Sequence, residues 1–533
     1  MNHNDTWLIN FLSTFFQSFP NDIINVILDL LTQKQKHVFV TDFPNNNIRS
    51  VARANYYRNI HFVTPFSRSY VLFHFEKSTR VTFVGMDKIL HFMDSYPDVI
   101  PKTLVLEISF LDYENLKAIL TKYHDKISKI SEMSIILKNY EINIAFLNFL
   151  LSFDNLTNLV FEQTSLKSIR RFFINNSRFI HHPRLSSIRI SSSYVIDWSG
   201  VQFPQKLKNL ELPRAKISTV NIPAEVGRIC FTKSKIKHSN ELRNKLPENL
   251  TVLELHSTGL ECLMVDDLPV GLTNLKISRN PLNKIYGKRW PPNLQKLELE
   301  FHKLNDEALQ FVNESIGWPL NVTHLTISGT KLKDLSNLSN LPQSLKHLNI
   351  SNTHWNLVKE NTRFEFPRNL KILHMSFCGL PRLKYLKFPS SLEDLSLPLN
   401  RIHNILTYGA WQELVNLKRL DLDYNSITSL DNWVIPPNLE YLCLSNNRIK
   451  EVTSRFPLFN NKYNFNLKVL KLSRCQLSKV RIDYIPPSMV RLDLYQDDLI
   501  AQIVLPIDSK PCLIPRGYRF KRMNYMPVNY CKV

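Results

Sequence analysis

One pattern, P-x-x-L-x-x-L-x-L-x-x-N-x-L, runs down the second half of this chain and restricts what it can fold into. It reads Phe-Pro-Gln-Lys-Leu-Lys-Asn-Leu-Glu-Leu from Phe203, Leu-Pro-Glu-Asn-Leu-Thr-Val-Leu-Glu-Leu from Leu246, and Ile-Pro-Pro-Asn-Leu-Glu-Tyr-Leu-Cys-Leu from Ile435. Its first core position falls at Leu207, Val226, Leu250, Leu272, Leu294, Val322, Leu345, Leu370, Leu392, Leu417, Leu439, Leu467 and Met489, thirteen units spaced mostly 22 to 25 residues apart. In L-x-L two leucines face one side of a short strand. A single unit has nothing to cover that side, so units must stack, with parallel strands about 4.8 Å apart.

Other columns of the repeat have their own physics. Three residues after the second strand leucine stand Ser234, Thr258, Asn280, His302, Thr353, Cys378, Asn400, Asn425, Asn447 and their counterparts, nearly all able to hydrogen-bond. Such side chains satisfy backbone groups where the chain leaves the strand; an unpaired buried group costs about 1–3 kcal/mol. A proline precedes the first core position by three residues in eleven of the thirteen units. Its fixed φ and missing N–H are read as suited to an extended return segment entering the strand.

Over residues 204–500 the chain resembles the leucine-rich-repeat family. The resemblance implies an α/β solenoid with a curved parallel sheet. Residues 63–200 read as looser repeats, with strand-like runs near Val81–Phe83, Leu104–Ile108, Met133–Ile136, Leu156–Phe161 and Ile188–Ile190. Helical periodicity separates them at Asp112–Lys129 and Ile142–Phe153. About eighteen strands are expected in all. The organisation expected is a helical module over 1–62, irregular repeats over 63–200, regular repeats over 201–500 and a basic tail or cap over 501–533.

At the N-terminus, Phe19-Pro-Asn-Asp-Ile-Ile-Asn-Val-Ile-Leu-Asp-Leu-Leu31 forms an amphipathic helix with proline and aspartate in its first turn. With Tyr56-Tyr-Arg-Asn-Ile-His-Phe62 it resembles an F-box. That resemblance implies that Phe19, Pro20, Ile23, Ile24, Ile27, Leu28 and Leu31 dock on a Skp1-like adaptor, and that the chain is the substrate-recognition subunit of a cullin-type ubiquitin ligase, a single copy within that complex. The other reading open from sequence is a cap over the end of the solenoid, on an adaptor-free scaffold such as the leucine-rich-repeat phosphatase regulators.

Catalytic chemistry finds no foothold in the sequence. There is no G-x-S-x-G, P-loop or H-E-x-x-H, and no cysteine is followed two residues later by aspartate, as in the bacterial effector ligases whose repeats look similar. No enzyme, cofactor or metal is expected. His256, His324, His347, His354, His374 and His403 read as scattered over different repeat positions, and His181-His182 as solvated surface. The strand face is expected to bind a target protein, with aromatic and arginine anchors at Arg214, Lys233, Arg279, Phe301, Phe377, Tyr424 and Arg474.

The formal net charge is +21. It is concentrated in residues 201–250 and in the tail Arg516-Gly-Tyr-Arg-Phe-Lys-Arg522, not in one groove, which favours steering of an acidic protein partner over a nucleic-acid ligand. Seven widely spaced cysteines fit free thiols in a reducing compartment. The sequons Asn321-Val-Thr323 and Asn349-Ile-Ser351 fall in expected strands. No membrane span or signal peptide is recognised, and a cytoplasmic or nuclear location is expected.

Overall fold

A computed structural model describes residues 20–504 except 30, 32–35, 38–39, 41–45, 65–80, 109–112, 139–142, 163–169, 171, 175, 192–196, 356–362, 454, 460–465, 482–485 and 495–501. The chain forms two compact units, residues 1–235 with 244–250, and residues 236–243 with 251–533. Among the described residues, nineteen strands build the parallel sheet architecture.

Eleven of these strands lie in the second unit, from Val252–His256 to Arg491–Asp493. Register is set by the inward leucine: Leu253, Leu275, Leu297, Leu325, Leu348, Leu373, Leu395, Leu420, Leu442, Leu470 and Leu492 are successive partners. A slip of one residue would expose the whole leucine row, so the pairing is strongly specified.

The repeat proline does not open an extended segment, as its chemistry alone implied. It is the first residue of a tight turn. Its carbonyl accepts the N–H of the first core residue, as in Leu250 to Pro247 at 3.1 Å and Leu439 to Pro436 at 3.3 Å. Leu414, which replaces the proline in one unit, makes the same turn through Leu417. This turn also carries Asn321, which is exposed and precedes the strand His324–Ser328 instead of lying within it.

Opposite the strands, the return segments hold a buried aromatic row. Phe366 stacks on Phe388 at 5.7 Å between centroids, then Tyr408, Trp411, Trp433 and Phe456 follow at 4.9–6.4 Å. Short parallel ladders accompany the row, Phe364–Glu365 with Leu386–Lys387 and Glu451–Val452 with Lys479–Arg481 and Gln502–Val504.

In the first unit eight strands are ordered Val81–Val84, Asn59–Thr64, Thr103–Ile108, Glu132–Leu137, Leu156–Glu162, Ser187–Ser191, Asn209–Pro213, Arg228–Thr232. The boundary placed at residue 62 therefore cuts a strand. Tyr56–Phe62, read as closing a helical module, runs out of the helix Asn46–Tyr56 into a strand with partners on both sides. The alternation in Asn59–Thr64 accounts for this, with Ile60 and Phe62 buried. The helix periodicities over 112–129 and 142–153 become Tyr113–Lys122 with His124–Ser128, and Ile144–Leu150. Asn143 caps the last, its side chain accepting the Phe146 N–H.

His182 is not solvated surface; it is 3% exposed. Its Nδ1 accepts the Leu185 N–H at 3.0 Å, so Nε2 carries the proton and faces the Phe153 carbonyl at 3.2 Å. Burial holds its pKa below the ordinary value. The unfolded chain thus binds this proton more readily, and stability is present above about pH 6.5 and lost as pH falls below it. Urea unfolding at pH 7.5 and 5.5 is expected to show the loss, at no more than about 1.4 kcal/mol per pH unit, and His182→Gln is expected to flatten the slope.

Candidate binding face

Twelve units of the second half leave their strands by the same turn, and one residue of that turn has a left-handed backbone. Arg214, Lys233, Ser257, Arg279, Phe301, Asn352, Phe377, Leu399, Tyr424, Asn446 and Arg474 all have φ between 47° and 56°, and Gly329 fills the same place at 64°. For a residue with a β-carbon this conformation costs about 1–2 kcal/mol. It persists because the turn is stitched to the next unit. Arg279 N–H donates to Glu300 O, Phe301 to Ser328, Gly329 to Ser351, Asn352 to Ser376, Phe377 to Pro398, Leu399 to Asp423, Tyr424 to Ser445 and Asn446 to Ser473, at 2.7–3.1 Å.

The following residue secures the turn from inside. Asn400 Oδ1 accepts the Cys378 and Leu380 N–H groups, and its Nδ2 donates to the Met375 and Leu397 carbonyls. Asn280, Asn425 and Asn447 act alike. His302 fits the same slot, its nitrogens 3.0 and 2.9 Å from the Asn280 and Ile277 carbonyls. Cys378 and Cys475 offer their thiols to Ile350 O and Leu444 O. Burial pushes both thiols up to about 12, so they remain protonated donors and not nucleophiles.

All seven residues read as partner anchors, Arg214, Lys233, Arg279, Phe301, Phe377, Tyr424 and Arg474, occupy this left-handed column. Arg214 and Lys233 stand in the first unit and the other five in the second. Phe377, Leu399 and Tyr424 come from consecutive turns and are each about half exposed, at 49%, 49% and 48%. Leu399 is a member that sequence reasoning missed, because a lone leucine outside the L-x-x-L-x-L frame gave no signal. His354 meets Phe377 edge-on at 5.5 Å. Phe301 lies three turns before Phe377, with its ring over Gly329, where a β-carbon would come within 2.5 Å of Cδ1.

Beside this ridge the strands carry charge. Arg419 stacks on Tyr441 at 3.9 Å and pairs with Asp394 and Asp421 at 3.7 and 3.5 Å. Burial raises the Asp394 and Asp423 carboxyls; Arg419 opposes it at the first, and the Asn446 amide opposes it at the second. At Glu298 burial works against ionisation, yet Lys276 and Lys296, at 2.5 and 2.6 Å, hold the carboxyl below its usual range.

A second polar column escaped the sequence reading. Just before seven of the first core positions, Asn321, Asn369, Asn416 and Asn438 donate to carbonyls of the preceding unit, and Ser344, Ser391 and Ser488 do likewise. Strand entry and strand exit are thus both laced.

Parts of known proteins are similar to this chain. Toll-like receptor 3 of Boselaphus tragocamelus is 25% identical over 364 residues, 60% of this chain and 36% of the receptor. Podocan of Mus musculus is 27% identical over 286 residues, 49% of this chain and 44% of podocan. The chain spans less than half the length of these relatives. Among solved structures, a TLR13–ssRNA13 complex aligns with 83% of this chain and 71% of that one, at a TM-score of 0.48 and 18% identity. A leucine-rich-repeat protein of Bacteroides eggerthii aligns with 85% and 79%, at 0.36 and 14%. No family model matches. The chain is a leucine-rich-repeat solenoid.

On this leucine-rich-repeat frame the adaptor residues separate. In the helix Asn21–Asp29, Ile24 and Leu28 are buried at 2% and 0%. Asn55, from the neighbouring helix, bonds the side chains of Asn25 and Asp29. Pro20 and Ile23 are exposed, Ile27 and Leu31 are half-buried, and Phe19 lies outside the described residues. The basic tail 516–522 also lies outside them. The repeat frame corrects the reading of the histidines as scattered. His324 and His347 share one repeat position, are register partners on adjacent strands, and stack at 4.0 Å. Among the described residues, Cys230, Cys262, Cys378, Cys443 and Cys475 are free thiols, and no helix is long and apolar enough to cross a membrane.

Proposed function

We propose that this leucine-rich-repeat solenoid is a non-enzymatic protein-recognition scaffold whose partner seats on the ridge Phe377–Leu399–Tyr424 and the charged strand positions beside it. One observation carries the reading: three large apolar side chains stand half exposed on consecutive turns, each on backbone fixed by hydrogen bonds to the next unit. The three span roughly 10 Å at the strand spacing of a parallel sheet. Rigid aromatic anchors lose little freedom on binding and commonly dominate interface energetics. Arg419, Asp421, Asp423 and Lys471 supply a polar rim that sets orientation.

The test is affinity capture with the wild type and with Phe377→Ala/Leu399→Ala/Tyr424→Ala. The triple variant is expected to lose its specific partner by about 100-fold in affinity, with an unchanged melting temperature. An identical partner set at unchanged affinity would remove the ridge from the function.

A second reading keeps the ligase role, with an intracellular location. Pro20, Ile23 and Val26 stand on the open side of the helix Asn21–Asp29, Ile23 and Val26 being 44% and 64% exposed. A cap has no use for apolar side chains pointing at water, whereas a docking helix does. Co-purification of a Skp1-like adaptor with the wild type, and its loss in Ile23→Asp/Val26→Asp, supports this reading; no adaptor on the wild type rejects it.

A further inference from the structure

Two consecutive exit turns of the first unit carry four cations. The strands Asn209–Pro213 and Arg228–Thr232 pair in register up to Pro213 and Thr232. Arg214 and Lys233 follow those partners directly, and Lys216 and Lys235 stand two residues further on. Between them Ala215 and Ser234 turn inward, each 1% exposed. Lys216, Lys233 and Lys235 are exposed and Arg214 is half-buried. The two turns are tied to each other. Arg214 N–H donates to Thr232 O at 2.6 Å, and Ala215 N–H donates to Ser234 Oγ at 2.9 Å. These bonds use backbone groups and one hydroxyl, so the four charged heads are not needed to form the turns.

The charges are also not answered from within the chain. On the strands Arg189 pairs with Glu211 at 2.8 Å, and at strand entry Lys208 pairs with Glu225 at 2.8 Å. Among the described residues, Arg214, Lys216, Lys233 and Lys235 have no ion pair of this kind. Asp197 is held below its usual range by the Ser199 hydroxyl first, then by Arg170 and Lys216, and it is already paired with Arg170 at 3.5 Å. Arg214 Nε is buried without a hydrogen-bond partner. Like charges side by side on neighbouring strands repel, and an anion laid across them relieves the repulsion.

From this placement we propose that the exit edge formed by Arg214, Lys216, Lys233 and Lys235 is a docking surface for an acidic segment of a partner protein. It is a contact additional to the ridge Phe377–Leu399–Tyr424. Adjacent turns stand about 4.8 Å apart, and alternate side chains of an extended segment are roughly 6.8 Å apart. One segment crossing both turns can therefore set carboxylates against both pairs of cations. Nucleic acid fits less well. Residues 213–219 and 232–235 include no aromatic on which a base could stack. Two turns are also short for the run of phosphate contacts on which nucleic-acid affinity rests. The surface accounts for four of the ten lysines and arginines in residues 201–250, where the basic excess of the chain is concentrated.

Fluorescence anisotropy of labelled deca-glutamate with the full chain, at pH 7.5 and low salt, tests the surface. Saturable binding is expected, weakened at least about tenfold in Lys216→Glu/Lys233→Glu/Lys235→Glu. The control Lys284→Glu/Lys384→Glu/Lys450→Glu removes the same charge from three exposed positions in repeats that are not adjacent, and is expected to lose no more than about threefold. The ridge variant Phe377→Ala/Leu399→Ala/Tyr424→Ala is expected to bind deca-glutamate as the wild type does. Circular dichroism checks that each variant is folded; Lys216→Gln/Lys233→Gln/Lys235→Gln serves if charge reversal perturbs the turns. No saturable binding by the wild type, or equal losses in the two lysine variants, overturns the proposal. Tighter binding of oligothymidylate than of deca-glutamate, lost in the same variant, assigns the edge to nucleic acid and overturns it as well.

Discussion

Trp433→Ala is expected to destabilise the protein by about 3–5 kcal/mol, the range for removing a fully buried large aromatic. Trp433 is 0% exposed and sits in the row of rings opposite the strands, edge-on to Trp411 at 5.6 Å and stacked with Phe456 at 6.4 Å. Each neighbour belongs to a different repeat. In a solenoid a unit is stabilised mainly by the units beside it, so the cavity weakens two junctions at once. The indole N–H of Trp433 has no hydrogen-bond partner among the described residues. Trp433→Phe therefore keeps the ring contacts and removes a buried unpaired donor. It is expected to cost less than about 1.5 kcal/mol. Urea unfolding of the two variants against the wild type checks both figures. A similar loss in both would mean that ring size, and not the presence of a ring, holds the row together.

The sheet was legible because its determinants are local and repeated. Leucines at fixed spacing dictate a strand that must stack, and the register of eleven strands follows from the leucine column alone. The aromatic row was not legible. Phe366, Phe388, Tyr408, Trp411, Trp433 and Phe456 stand at variable distances from the strand, because return segments differ in length and place their rings by shape. The early runs near Val81, Leu104, Met133, Leu156 and Ile188 are strands as expected, and one early strand was missed for another reason. Asn59–Thr64 carries an alternating pattern, but its neighbour Val81–Val84 lies on its outer side, so chain order and sheet order part company there.

At the binding face, composition was visible and conformation was not. The column holding Arg279, Phe301, Phe377 and Tyr424 drew notice for its aromatics and cations. Nothing in the residue types announces a left-handed backbone, since glycine fills it once in twelve turns. The chain has only 11 glycines. It makes these turns by spending hydrogen bonds between units in place of glycine's freedom. The histidine pair was missed although its signal was present, because His324 and His347 each stand two residues after a first core position.

Asn400→Ala is the sharper test of how those turns are held, with an expected loss of about 3–4 kcal/mol. The side chain is 7% exposed and serves five backbone groups, the N–H of Cys378 and Leu380 and the carbonyls of Met375, Leu397 and Pro398, at 2.8–3.3 Å. Alanine leaves the Cys378 and Leu380 N–H groups and the Met375 carbonyl without that partner, while the Leu397 carbonyl keeps Asn425 and the Pro398 carbonyl keeps the Phe377 N–H. Each buried unpaired group costs about 1–3 kcal/mol, and entry of a water into the space reduces the total below the sum. Asn438 is the control. It donates once, to Val415 O, from an exposed turn at the other end of the strand, and water replaces that bond. Asn438→Ala is expected to cost under about 1 kcal/mol. The contrast also bears on binding. Asn400 directly follows Leu399 in the ridge and ties its turn to the one carrying Phe377. Loss of the ladder bond frees the Leu399 turn to leave its left-handed conformation. The variant should then bind the ridge's partner more weakly even at temperatures where it remains folded. Equal affinity in folded Asn400→Ala would show that the ridge recognises its partner without needing the turn to be rigid.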